Sequence, residues 1–474
     1  MRSQRLVQPR VKHPLGRGIS MAGRSPLLAL AFLTVAAVPS RGQIEVAKLN
    51  ATPHGGSDDF GDVVSVSGDV VVVGAQRGLN DAGESTGAAY VFRRNGNGWM
   101  QEAKLTEASS IVDSAFGCSV SVDGDTIVVG AYYTENSVGV RTEAAYVFGY
   151  DGVEWVEKDK LTAHDGMVND WYGHWVAVEG DIIVVGSFFH DHVSNNAGSC
   201  YIYRYNVNSE SWQQQRELLP PGPADDDWFG QAVAISGDTV LIGAKRDNDV
   251  VSRSGSAYVY RVDNKGTPAD PFDDIWQLET KLTAPVPGLH DEFGFSVAID
   301  GDMALVGEHR RDIGFEMSAG AAYLFRREGT TWMHQQMLLP DVSHCTDYFG
   351  DAVAIDGGIA VVGAREYVTA GGRTGAAFVY HDCGQQWERV SMIIGSDTTN
   401  ARQFGLSMSV SGRSIVVGEH HANHNAGAVY VFEGLSLVPV VTGYGALFMG
   451  MMLLLCGRSV ILGRRGYSEN IKKY

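Results

Sequence analysis

Cysteine is scarce, at 5 in 474 residues. Cys456 lies in an apolar segment near the C-terminus, and Cys118, Cys200, Cys345 and Cys383 are scattered through four different stretches of the chain. Four cysteines allow three pairings and fit buried free thiols equally well, so disulfides do not define the fold. Catalytic motifs are absent. There is no Gly-x-Ser-x-Gly elbow, no His-Glu-x-x-His pair and no phosphate-cradling glycine loop, so no catalytic residue and no cofactor is assigned. Basic residues are few where the bulk of the chain lies. Between residues 44 and 456, 25 Lys and Arg stand against 54 Asp and Glu, a formal charge of −29. Such a surface repels nucleic acid and suits cations, basic partners or a high-salt medium. Long apolar runs are missing everywhere except at the two ends.

What fills the space between is a repeat. An aromatic-glycine pair occurs seven times, as Phe60-Gly61, Phe116-Gly117, Tyr172-Gly173, Phe229-Gly230, Phe293-Gly294, Phe349-Gly350 and Phe404-Gly405. Thirteen residues after each of these glycines comes another: Gly74, Gly130, Gly186, Gly243, Gly307, Gly363 and Gly418. In the first copy Val63–Val66 reads as a strand, Gly68-Asp69 as a tight turn and Val70–Val73 as a strand buried on both faces. Ala88–Phe92 and Trp99–Thr106 read as a third and a fourth strand. Seven such units predict an all-β fold, a seven-bladed β-propeller of four-stranded antiparallel blades. The recurring aromatics, such as Tyr90 and Phe92, read as core packing between blades.

The last repeat lacks a fourth strand after Phe432. Ile44–Leu49 resembles the end of that strand elsewhere, as in Ala103-Lys104-Leu105-Thr106, so it is expected to complete the last blade and close the ring, removing exposed sheet edges.

The flanks define the remaining organisation. Residues 1–43 read as a signal peptide with a basic leader, built on the apolar run Leu27–Val38, and Met21 fits a true start. Residues 44–434 are the propeller. Residues 435–457 carry no charge and are long enough for a transmembrane helix. Residues 458–474 form a short basic tail, which places the propeller outside the cytoplasm. The same tail also fits a sorting signal cleaved by a membrane protease. Asn50-Ala51-Thr52 is a glycosylation acceptor in a host that glycosylates.

Phe-Gly, then a strand ending in Val-Gly-Ala, then Gly-Ala-Ala-Tyr-Val-Phe resembles the FG-GAP repeat, which builds the seven-bladed propeller at the head of integrin α subunits. The resemblance implies that fold and a partner-binding rim. It stops at the stalk, which is missing, and at the cytoplasmic tail, which lacks Gly-Phe-Phe-Lys-Arg. Integrin-type repeats often carry an Asp-x-Asp-x-Asp-Gly calcium loop between the first two strands. Here that position holds only turns such as Ser67-Gly68-Asp69 and Asp123-Gly124-Asp125. One or two carboxylates on a tight turn cannot supply six to eight oxygen ligands, so no metal is assigned there.

Strand alternation puts the connection into each aromatic-glycine pair and the loop between second and third strands at one end. Acids gather in that connection: Asp58, Asp59, Asp113, Asp170, Asp226, Asp227, Asp291, Glu292 and Asp347. The aspartates among them, with Trp228, are the candidate ligand-binding residues, read against the alternative that they are turn residues bonding their own backbone. Histidines also gather near the same face (His190, His192, His420, His421, His424 and Glu308-His309) and read as solvated loops. The expected role is an exported, membrane-anchored propeller binding a protein or glycan outside the cell, in adhesion or recognition. An enzyme acting on extracellular polymers and a surface-layer component are the alternatives.

Overall fold

The computed structural model describes residues 43–434 except 53–57, 81, 97, 108–113, 136–140, 193, 264–273, 400–402 and 421–426. Seven four-stranded antiparallel sheets follow one another. Blade 1 consists of Val63–Ser67, Val70–Ala75, Ala88–Asn95 and Gly98–Leu105. Its second strand is all β-branched up to Gly74, and Val71, Val72 and Val73 are fully buried. A valine buried on both faces of a sheet contributes about 1.5–3 kcal/mol, which is why this strand shows no polar alternation. The first strand alternates Val64 and Val66 inward, and the turn at Gly68 adopts the left-handed φ of 55° that a two-residue hairpin requires.

The seam is built as the sequence predicts. Ile44–Leu49 pairs antiparallel with Ala428–Glu433 and completes blade 7. Leu49 and Ala51 join Phe60, Tyr90 and Val429 in one core cluster, so the closing interface is packed like the others. The repeated aromatics are core residues: Phe60 is fully buried, edge-on to Tyr90 at 5.5 Å and to Phe92 at 6.1 Å. A repeated bulge falls between the third and fourth strands, for example at Val91/Phe92 and Val147/Phe148, and at Glu45/Ala47 in the seam. An extra residue in the outer strand raises its twist.

The spaced glycines mark the contact between blades. A Cβ on Gly74 would lie 2.1 Å from the carbonyl oxygen of Gly117 in the next blade. The same clash recurs round the ring to Gly418 against the carbonyl of Gly61. Only glycine admits this approach. Isolated parallel bridges such as Gly87–Phe116 and Phe60–Gly427 lock the loop before the third strand to the next blade's aromatic-glycine pair at six of the seven pairs, all but Tyr172-Gly173, and thus put those two loops at one end.

The hairpins expected to be too short for calcium are short: Ser67 pairs with Val70, Asp123 with Thr126 and Asp300 with Met303. Cys118 and Cys200 are buried, and Cys345 and Cys383 are exposed. The expected signal peptide and transmembrane segment lie outside the described residues. Among the described residues no helix is long and apolar enough to cross a membrane.

Candidate functional site

The acids before the aromatic-glycine pairs divide by position. Asp58, Asp170, Asp227, Asp291 and Asp347 stand two residues before the aromatic and are all buried. Three bond their own loop: Asp170 accepts from Met167 N at 2.7 Å, Asp227 from Ala224 N at 2.8 Å and Asp347 from His344 N at 2.7 Å. Asp291 faces Arg311 at 3.2 Å. Burial pushes Asp227 up to about 6 and raises Asp291 and Asp347 as well. Asp226 is exposed and accepts from Asn196 Nδ2 at 2.9 Å. Asp113 lies outside the described residues.

The residue just before each aromatic has a different task. Asp59, Ala115, Trp171, Trp228, Glu292, Tyr348 and Gln403 all adopt a left-handed backbone, with φ between 54° and 60°. Non-glycine residues there cost about 1–2 kcal/mol each. Immediately afterwards the first strand bulges, for example between Tyr172 and Trp175 and between Phe293 and Val297. A bulge re-aims side chains, here His174 and Phe295.

These positions and the residues that leave each second strand form a rim at the mouth of the central channel. The channel itself holds a cavity of about 170 Å³ lined by an apolar side chain from each blade, such as Val64, Val120 and Met408, and by the polar Asp62, Ser119, Ser296, Asp351 and Ser407. Around its mouth, Tyr132 stacks on Trp171 with ring centroids 4.9 Å apart and planes 5° apart. Trp171 meets Phe188 and Phe189 at 5.4 and 5.3 Å, and both of those meet Trp228, at 5.6 and 5.1 Å. Arg246 lies 3.5 Å over Trp228, and Lys245 bridges Trp228 and Phe295 at 4.9 and 4.6 Å. Phe295 stacks on His309 at 3.6 Å, His309 tilts against Tyr348 at 5.8 Å, and Arg365 covers Tyr348 at 4.8 Å. The belt therefore runs without a break from blade 2 to blade 6.

Its electrostatics follow from crowding. Burial, with Arg246 and Arg310 nearby, pushes Lys245 down to about 8, although Glu292 pulls the other way. Burial, aided by Lys245, pushes His174 down to about 4. Burial alone would raise Glu292, but the hydrogen bond and charge of His309, together with Lys245, hold it below its usual range. Buried polar atoms without a protein partner gather here: His174 Nδ1, Trp175 Nε1, Trp228 Nε1, Gln231 Oε1 and Arg246 Nε.

Of the candidate residues, Asp59 and Trp228 reach this rim, and the loop acid Glu292 joins them. Trp171, Phe188, Phe189, Lys245, Arg246, Phe295, Tyr348 and Arg365 were not anticipated from sequence. Their register was available: each follows a spaced glycine by two or three positions or adjoins an aromatic-glycine pair. The histidines also find partners. His309 lies 2.8 Å from Asp351 and 3.1 Å from Glu292, and His420 pairs with Asp62. His190 and His192 meet Asp165 and Glu217. His421 and His424 lie outside the described residues.

The fold defines a class, a closed seven-bladed propeller whose blades meet through aromatic-glycine corners. Seven stretches, 44–92, 99–148, 155–203, 212–260, 276–325, 332–380 and 387–432, match the FG-GAP repeat model. The chain belongs to the FG-GAP repeat family. Each matched stretch begins on a fourth strand and ends in the third strand of the next blade, so the sequence repeat is offset by one strand from the blade and the seam follows from that offset. No curated protein shows significant similarity to the chain.

Proposed function

We propose that this chain is a cell-surface recognition protein that binds a glycan or a protein at the rim of its channel, in adhesion or recognition. The rim supports this reading. A belt of buried and half-buried rings crosses five blades, with Lys245 and Arg246 over its centre and unpartnered buried polar atoms between them. Aromatic faces pack against the apolar faces of sugar rings or of peptide side chains, and rigid aromatic anchors dominate recognition energetics. The cations answer an acidic group on the ligand, and their scarcity on so acidic a chain gives the rim its selectivity. Export and a single membrane span, inferred from residues 1–43 and 435–457, would present this face to the cell exterior.

The test is binding of the full chain, purified in detergent, to a glycan array and to cell-surface and matrix extracts. Retention that falls at least about tenfold in Trp171→Ala/Trp228→Ala supports the reading, since buried aromatic anchors carry about 2 kcal/mol or more. Failure to retain any component, or retention unchanged by that pair, overturns it.

A further inference from the structure

The structure assigns a second site, away from the channel axis: Asp165, His190, His192 and Glu217 form a four-ligand site for a zinc-class divalent ion. His190 and His192 leave the second strand of blade 3, Ile182–Ser187. Glu217 lies on the fourth strand of the same blade, Ser211–Leu218, and Asp165 on the connection from blade 2. One donor atom from each lies within 4.8 Å of all the others. His190 Nε2 is 3.8 Å from Asp165 Oδ2 and 3.8 Å from Glu217 Oε1, and His192 Nδ1 is 3.9 and 3.7 Å from the same two oxygens. These separations are too long for hydrogen bonds. A tetrahedron with bonds of about 2.0–2.2 Å has edges of about 3.3–3.6 Å, so the four atoms need to draw in only slightly to hold an ion.

Two independent features point the same way. His190 is 5% exposed, yet its Nε2 has no hydrogen-bond partner, and the buried Glu217 Oε1 likewise has none. Both atoms face the same gap. Leaving such buried groups unsatisfied is costly, and an ion at the centre would satisfy both at once. The remaining atoms of the ligands are already fixed. His190 Nδ1 is 2.9 Å from Asp170 Oδ2, the carboxylate-histidine arrangement that orients metal-binding imidazoles. Tyr201 Oη donates to Asp165 Oδ1 at 2.9 Å, which leaves Oδ2 for the ion. Two imidazoles and two carboxylates suit zinc or a neighbouring transition ion and exclude calcium, which takes oxygen ligands.

Four protein ligands close the coordination shell, so the ion is structural. It ties the loop after Ser187 to the outer strand of blade 3 and to the preceding connection. That loop accepts Asp226 N at Asn195 O, 2.8 Å, and Trp228 N at Asn196 O, 3.2 Å. The clamp therefore sits directly behind Trp228, in the middle of the aromatic belt.

The experiment uses the tag-free full chain in detergent, stripped with chelator and titrated with Co²⁺ and then Zn²⁺ alone. Expected are about one Co²⁺ per chain with a tetrahedral visible spectrum, displacement by Zn²⁺ but not by Ca²⁺, and a metal-dependent rise in Tm. His192 is 42% exposed at its side chain, so His192→Ala should fold like the metal-free parent. It should weaken binding by at least about tenfold and abolish the rise in Tm. His420→Ala, at the separate Asp59, Asp62 and His420 group, should leave both unchanged. No saturable Co²⁺ or Zn²⁺ binding, or binding unaltered in His192→Ala with its metal-free Tm intact, overturns the assignment. Neither result depends on whether the rim binds a glycan.

Discussion

The Ser411 hydroxyl of blade 7 accepts the backbone N–H of Gly68 in blade 1 at 3.1 Å, across the seam of the ring. The same bond links every neighbouring pair of blades. Ser67 accepts from Gly124, Asp123 from Gly180, Glu179 from Gly237, Ser236 from Gly301, Asp300 from Gly357 and Asp356 from Gly412. The residues that open the first hairpins are thus the links of a closed hydrogen-bonded chain. An oxygen of either kind suffices, because three serines and four carboxylates fill the same role. Asp300→Ala should therefore lower stability by about 1 kcal/mol, the usual net value of such a bond, and Asp300→Ser should restore most of it. Urea unfolding at neutral pH measures both. Equal loss in the serine and alanine variants would show that charge matters, not the bond.

The seam also carries strand pairing and several polar ties, including Glu45, which accepts from Ser396 N and Oγ at 2.8 Å each. Lys48 Nζ bonds Asp397 at 2.6 Å, and Arg94 bonds Glu433 at 2.6 Å. Lys48 and Asp397 are exposed enough that their pair is worth at most about 1 kcal/mol. The strand matters more: removing Ile44–Leu49 exposes the edge of Ala428–Glu433 and uncovers the cluster around Phe60. Deletion of these residues from the full chain should abolish the cooperative thermal transition and cause aggregation. Lys48→Ala should leave the transition within a few degrees. A deletion variant with an unchanged Tm would mean that the ring does not need its closure.

The fold was legible because its determinants repeat. Glycine at 74, 130 and 186 is demanded by the same backbone approach each time, and a demand met seven times shows above the noise of any single position. The seam was legible for the same reason, since Ala47-Lys48-Leu49 echoes Ala103-Lys104-Leu105. The rim was only half legible. Acids near the aromatic-glycine pairs stood out by composition, but most of them at the buried position secure their loops, and the neighbouring position holds Asp, Ala, Trp, Glu, Tyr and Gln in turn. What those residues share is a backbone conformation, which composition does not reveal. The histidine pair was visible in sequence, but its carboxylates were not. Asp165 and Glu217 come from a connection and an outer strand 25 residues before and 27 residues after His190, and strand pairing alone brings them together.

Asp227 gives the loop acids a measurable signature. Burial raises its carboxyl from 3.8 to about 6 in the folded chain. A raised acid binds its proton more tightly when folded, so its contribution is full below about 3.8 and is lost as pH rises through about 6. Asp227→Asn removes this titration and keeps an oxygen for Ala224 N. The stability of Asp227→Asn relative to the parent should therefore rise between pH 4 and pH 7, with a slope of at most about 1.4 kcal/mol per pH unit. Denaturant unfolding across that range measures it. A difference that stays flat would place Asp227 in solvent contact and reopen it as a ligand-facing carboxylate.

Lys245 offers a direct probe of the rim. Its ammonium lies among Trp228, Phe295 and Arg246, where burial and like charge bring it down to about 8. An ordinary lysine near 10.4 is less than about 1% neutral at pH 8, whereas one with a value of about 8 is about half neutral there. Only the neutral amine attacks acylating reagents. Brief treatment with a limiting acylating reagent at pH 8 should therefore label Lys245 ahead of the exposed Lys158, as read by peptide mass spectrometry. Trp228→Ala opens the amine to water, which should raise its value and reduce its selectivity. Any glycan or protein that occupies the rim should protect Lys245 and leave labelling elsewhere unchanged. Labelling that ranks Lys245 with the surface lysines would show that the rim is wetter than its geometry implies, and protection at other lysines instead would move the binding face away from the channel.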